Sequence, residues 1–98
     1  MKLQEYLDSL TDGKMPKGLS APLRGLWYDG RGDWQRAHQE VQEESDNDSS
    51  WVHAYLHRKE GDVANASYWY RQAGKAVFSG DLQEEWGLLV ESLLKKSI

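Results

Sequence analysis

The chain has 98 residues, with 12 Lys and Arg against 16 Asp and Glu, a formal net charge of -4 and no Cys. That length predicts a single domain spanning 1-98, and the acid excess argues against a general nucleic-acid backbone binder. Without Cys there is no disulfide, no thiolate metal site and no Cys nucleophile, a composition that fits a reducing compartment.

The pattern predicts an all-α chain of about six helices. The first covers residues 2–10, where Leu3, Tyr6, Leu7 and Leu10 share one face at i, i+3, i+4, i+7. Residues 11–18 read as a loop. Ser20 reads as an N-cap and Pro22 suits a first turn, so a second helix runs to about Asp29 and buries Leu23, Leu26 and Trp27. Gly30-Arg31-Gly32-Asp33 is a stop followed by a start, and a third helix runs from Trp34 to about Glu44. Residues 46–50 form a turn and cap before a fourth helix over 51–60. Gly61-Asp62 repeats the stop and start. A fifth helix covers 63–73 and ends at Gly74. Residues 75–80 connect to a sixth helix over 81–97, whose Asp81 and Glu84 form a capping box and whose Leu82, Trp86, Leu89 and Leu93 make one stripe. Lys95 and Lys96 complement its dipole.

Short loops imply antiparallel neighbours, hence a string of helical hairpins. An internal echo supports this. Gly32-Asp33 and Gly61-Asp62 lie 29 residues apart, each followed by an Ala four residues after the Asp (Ala37, Ala66) and then by Val41 and Tyr70. A small residue there lets two helices approach, and a large one a turn later fills the groove beside it. Trp34, Trp51, Trp69 and Trp86 are spaced 17, 18 and 17 residues apart, one per helix, with Trp27 on the second. Each reads as a residue at a helix–helix seam.

Gly25, Tyr28, Gly32-Asp33, Ala37 and Val41, then Ala54, Gly61-Asp62, Ala66, Tyr70 and Ala73, resemble the tetratricopeptide pattern. The period is shorter than the usual ~34 residues of that family. The resemblance implies hairpin repeats at about 20–44 and 49–74, with capping helices over 2–10 and 81–97. It further implies that the fourth helix lines a concave groove, so that Trp51, Tyr55 and Arg58, at i, i+4, i+7, face a bound peptide. Aromatic and Arg side chains are also enriched at binding hot spots. Tyr68 and Arg71 extend this expected partner-binding set, because four consecutive large residues, Tyr68-Trp69-Tyr70-Arg71, span every face of a helix and cannot all be buried. Separately, Trp51-Val52-His53-Ala54-Tyr55-Leu56-His57-Arg58-Lys59-Glu60-Gly61-Asp62 with Asn65-Ala66-Ser67-Tyr68-Trp69-Tyr70 resembles short bacterial proteins of no assigned activity.

His53 and His57 are i, i+4 on one helix, the spacing that a pair of metal ligands requires. His38, on the preceding helix, comes near if the hairpin closes, and Glu60 lies one turn beyond His57. Metal ligation or acid–base work by this set is one reading. The other is packing at a helix interface, favoured by the absence of the Glu that follows the first His in zinc peptidases. No phosphate loop, nucleophile elbow or paired-carboxylate pattern points to an enzyme. Glu40, Glu43, Glu44, Asp46 and Asp48 carry no intervening base and read as a solvated helix end more simply than as a patch for a basic partner.

The expected function is thus a small protein-interaction module, an adaptor or scaffold. Its partner is a protein or peptide, or a second copy in a homodimer, and no cofactor is expected. The alternative is the His-based metal or catalytic site. The longest aliphatic run, Leu88-Leu89-Val90, is far short of a membrane span, and Met1 to Glu5 lacks the apolar core of a signal peptide, so a cytoplasmic location is expected.

Overall fold

The computed structural model describes residues 1–96, and within them every regular element is a helix. They are α1 (Leu3–Asp12), α2 (Ala21–Gly30), α3 (Trp34–Val41), α4 (Asn47–Lys59), α5 (Val63–Ala73) and α6 (Leu82–Lys96). The expected end of the last helix at residue 97 lies outside the described residues. No described helix is long and apolar enough to cross a membrane.

Four of the six described helices start at an aspartate. Asp33 accepts from the Arg36 amide, Asp46 from Ser49, Asp62 from Asn65 and Asp81 from Glu84, each satisfying an N–H that has no partner inside its own helix. Ser20 occupies the N-cap position of α2 without a side-chain cap bond. Gly32 and Gly61 both adopt positive φ, 84° and 90°, which lets the chain leave one helix and reach the next Asp cap within two residues. Three boundaries differ from expectation by two residues or more, the first being α1, which runs on to Asp12 inside the expected loop. The fourth helix starts at Asn47, a turn earlier than Trp51, because the Asp46 cap takes Asn47 to Ser50 into the first turn. The third ends at Val41, well before Glu44.

The central element is α4, which packs on α2, α3, α5 and α6. Every residue from Ser49 to His57 is buried. A helix covered on all sides loses the usual solvated stripe, so its polar side chains must find partners inside. Close contacts are made where side chains are small. A Cβ on Gly25 would lie 3.2 Å from Val41 Cγ1 and 3.3 Å from the Ala37 carbonyl oxygen, so α2 meets α3 almost backbone to backbone. Ala54 and Ala66 are buried in the helices α4 and α5, which pack together.

Indole N–H groups fasten neighbouring elements. Trp27 donates to Ser9 Oγ, Trp34 to the Leu56 carbonyl and Trp86 to the Leu26 carbonyl, which ties α2 to α1, α3 to α4 and α6 to α2. A buried indole needs such a partner. The Tyr6 hydroxyl does the same, donating to the Leu23 carbonyl at 2.7 Å.

Candidate metal centre

The seam between α3 and α4 carries all three histidines of the chain. His38 comes from α3. His53 and His57 come one turn apart from the buried stretch of α4, and both are less than one-tenth exposed. Nε2 of His38 lies 3.0 Å from Nε2 of His53. Ring centroids are 4.7 Å apart for His38 and His53, 5.2 Å for His38 and His57, and 4.7 Å for His53 and His57. One ring nitrogen from each residue falls within 4.8 Å of the others. With Zn–N bonds of about 2.0–2.1 Å, two nitrogens on one tetrahedral zinc stand roughly 3.3 Å apart. The closest pair is already near that figure, and a nitrogen of the third ring lies within 4.8 Å of both.

Indoles wall the cluster. Trp34 stacks on His38 with a 9° interplanar angle at 5.0 Å, and Trp69 stacks on His53 at 4.0 Å. Trp34 is at i-4 from His38 on the same helix face, and its N–H to Leu56 holds it across the seam. These two walls were not singled out as site residues from the sequence. The i, i+4 step from Trp34 to His38 is a signal that finds the first, whereas Trp69 reaches His53 only through the packing of α5 on α4.

Glu60, at the C-terminal end of α4, completes the arrangement. Its Oε1 is 2.6 Å from Nδ1 of His57. A carboxylate accepts, so Nδ1 of His57 is the donor, and Nε2 is the nitrogen turned away from Glu60. Asn65 Nδ2 sits 3.4 Å from that Nε2, a long contact. A carboxylate holding the far nitrogen of a ligating imidazole is the usual companion of a metal-bound histidine.

The electrostatics disfavour charge on two of these rings, His38 and His53. Burial first, and then His38 and His57, push the His53 pKa down to about 4. Burial and His57 also lower that of His38, with Glu60 acting in the opposite direction. Neutral imidazole is the form that binds a metal. Nδ1 of His53 is buried and has no hydrogen-bond partner among the described residues. Whichever way the single proton between His38 and His53 sits, that atom is left without a partner. A buried polar group left so costs about 1–3 kcal/mol. That cost falls on the seam whatever the Nε2 of His53 binds. A second grouping, His57 with Glu60 and Asp62, shares His57, and its Asp62 is occupied in capping α5.

The expected peptide-facing residues stand elsewhere. Trp51 is 8 % exposed with the Lys75 ammonium 4.3 Å over its ring. Tyr55 is 2 % exposed, and its hydroxyl donates to Asp29 Oδ2 at 2.6 Å. Arg58 donates to Glu85 Oε1 at 2.9 Å and to the Gly80 carbonyl, and lies over the Phe78 ring. The face expected to be an open groove is therefore covered by α2, by residues 75–80 and by the start of α6. Tyr68 and Arg71 are exposed on α5, apart from that set. Of the acidic run, Glu40 pairs with Arg24 and Arg36, Asp46 caps α4, and Asp48 pairs with Lys96.

Comparison of the chain with known protein families, with curated proteins and with solved structures finds no match.

Proposed function

We propose that the protein binds a first-row transition-metal dication, zinc being the reference case, through Nε2 of His38, His53 and His57. The observation that carries this reading is the convergence of the three imidazoles from two helices, with one Nε2–Nε2 separation of 3.0 Å. An all-imidazole set suits zinc, copper and nickel in preference to magnesium or calcium, which take oxygen ligands. Three protein ligands leave a fourth position for water or an exchangeable small ligand, the pattern of reactive zinc sites as opposed to closed structural ones. Glu60 orients His57, and the indoles of Trp34 and Trp69 fix the planes of the other two rings.

Around this centre we read α2 to α5 as two hairpins of tetratricopeptide type. Supporting this are the Gly25–Ala37 approach, the buried Ala54 and Ala66, and the two Gly-Asp turns. Partner binding through the exposed outer side of α5 rests on a separate observation, the 45 % exposure of Tyr68 and 67 % exposure of Val63.

The test is a titration of chelator-treated protein with zinc, followed by calorimetry and melting, and with cobalt(II), followed by its visible spectrum. We expect one metal per chain and a higher melting temperature. Metal at about a hundredfold over Kd adds about 2.7 kcal/mol, roughly 10 °C or more for a domain of this size. Cobalt should give the intense visible bands of a tetrahedral site. His38→Ala, a half-buried position, should remove both effects while leaving the metal-free fold intact. Absence of saturable binding, or binding unchanged in His38→Ala, would sink the proposal.

A further inference from the structure

Helices α1 and α6 flank a cleft of about 790 Å³, and none of the three histidines lines it. One wall is Leu3, Leu7 and Leu10 of α1, at i, i+4, i+7, and the other is Leu82 and Trp86 of α6, at i, i+4. All five are only half-buried. A second cleft of about 320 Å³ shares Leu3 and Glu91 with the first and carries the depression on past Leu94. The two form one elongated apolar groove beside a 10-residue helix, which is about 15 Å long.

Gly87 is the unexpected residue in it. It stands inside α6, where glycine costs about 1 kcal/mol relative to alanine. Elsewhere in the fold a helical glycine is accounted for by packing, as Gly25 is. A Cβ on Gly87 would meet nothing within 4 Å. The gap opens into the groove. Such a glycine lets something outside this chain come up to the α6 backbone.

The charges of the groove are uneven. At its floor Asp29 and Lys59 neutralise each other, with Nζ to Oδ1 at 2.9 Å, and Tyr55 takes the other Asp29 oxygen. The Glu91 side chain, where the two clefts join, has no ion-pair or hydrogen-bond partner among the described residues. Lys95 is at the far end.

We propose that this groove takes one amphipathic helix from a protein partner. That helix carries a leucine-type stripe repeating at i, i+4, i+7, with a basic residue placed to meet Glu91. The shape argues for a helix because a long trough between two helices accepts a cylinder whose apolar stripe matches its walls. The close backbone approach at Gly87 argues the same. A second copy of this chain fits less well, since two concave faces do not fill each other. The proposal is independent of the metal site.

The probes are two fluorescent 14-residue helical peptides, each with leucines at that spacing, one flanked by lysines and one by glutamates. With the wild-type protein the lysine peptide should bind saturably and about tenfold or more tighter than the glutamate peptide. Glu91→Lys should invert that preference, which non-specific attraction to an acidic protein does not do. Gly87→Leu should fill the groove and weaken the lysine peptide by about tenfold or more. Its melting temperature should not fall, because leucine is the better helix former. No saturable binding, equal binding of the two peptides, or a preference unmoved by Glu91→Lys would each overturn the proposal. Full binding by a folded Gly87→Leu would do so too.

Discussion

Nε2 of His38 and Nε2 of His53 stand 3.0 Å apart, the first from α3 and the second from the buried middle of α4. At that distance the pair holds one proton between two nitrogens or shares one cation. Two imidazoliums there would repel in a poorly solvated seam. His57 lies one turn along α4 and is stacked beside His53 at 4.7 Å, so the third ring meets the same seam.

In the proposed metal site, Glu60 would act through His57. Its 2.6 Å bond to Nδ1 holds the ring, as the carboxylate partners of ligating histidines do. Glu60→Gln keeps length and an acceptor oxygen but removes the charge. Zinc affinity, measured by competition with a chromophoric chelator, should fall about 10–100-fold. Melting of the metal-free protein should change little, because the Glu60 side chain is 38 % exposed. An unaltered affinity would show that Glu60 does not orient the ligand.

The metal-free protein should be sensitive to mild acid. His53 titrates near 6.5 when unfolded and near 4 when folded, through burial first and the other two imidazoles second. The unfolded chain therefore takes up a proton that the fold resists. This contribution to stability is complete above about pH 6.5 and is lost as pH falls toward about 4. Urea midpoints of chelated protein should drop across that window, and His53→Gln should flatten the drop. Identical slopes for the two proteins would remove His53 as the cause.

Tyr55 decides between a contact surface and a core. Tyr55→Ala should cost about 3–5 kcal/mol, as for a buried aromatic. Tyr55→Phe isolates the hydroxyl. Asp29, which is 4 % exposed, then keeps only Lys59, and the loss of a bond to a buried carboxylate is worth about 1.5–3 kcal/mol. Denaturant titration reads both. A Tyr55→Ala cost under about 0.5 kcal/mol would match a surface residue.

Local features were the legible ones. Asp33, Asp62 and Asp81 could be read as helix starts because a cap needs only the three residues that follow it. The pairing of His53 with His57 was equally visible, since helical spacing alone places them on one face. His38 could be named as a third ligand but not located, because its approach depends on how α3 packs on α4. Trp69 shows the same limit across α5. Arg58 was misleading for a related reason. Its position along α4 fits an exposed groove, yet residues 75–80 fold back so that Phe78 and the Gly80 carbonyl cover it. That connector has no periodicity from which its path could be read. The α1–α6 groove was likewise hidden, because both helices have ordinary core stripes and only their spacing in the fold leaves those stripes half-covered.

Glu85 is the most deeply buried charge among the described residues, 0 % exposed on a stripe otherwise made of Leu82, Trp86, Leu89 and Leu93. Its partners are Arg58 at 2.9 Å and the Tyr70 hydroxyl. Burial and the adjoining carboxylate raise the Tyr70 pKa, which keeps that hydroxyl a donor. The three residues link α4, α5 and α6 through polar groups in an apolar setting, so each holds the others in place. Glu85→Ala leaves Arg58 without its anion and Tyr70 without its acceptor. A broken buried pair of this kind costs about 3–5 kcal/mol, and at about 4–8 °C per kcal/mol the melting temperature should fall by more than 10 °C. Glu85→Gln should cost less, because the amide oxygen still accepts from one partner. Arg58→Ala combined with Glu85→Ala should be less damaging than the sum of the two, with a coupling of about 0.5–3 kcal/mol. Strict additivity in that cycle would mean that Arg58 and Glu85 stabilise the fold independently, and that α6 is held to α4 by its leucines alone.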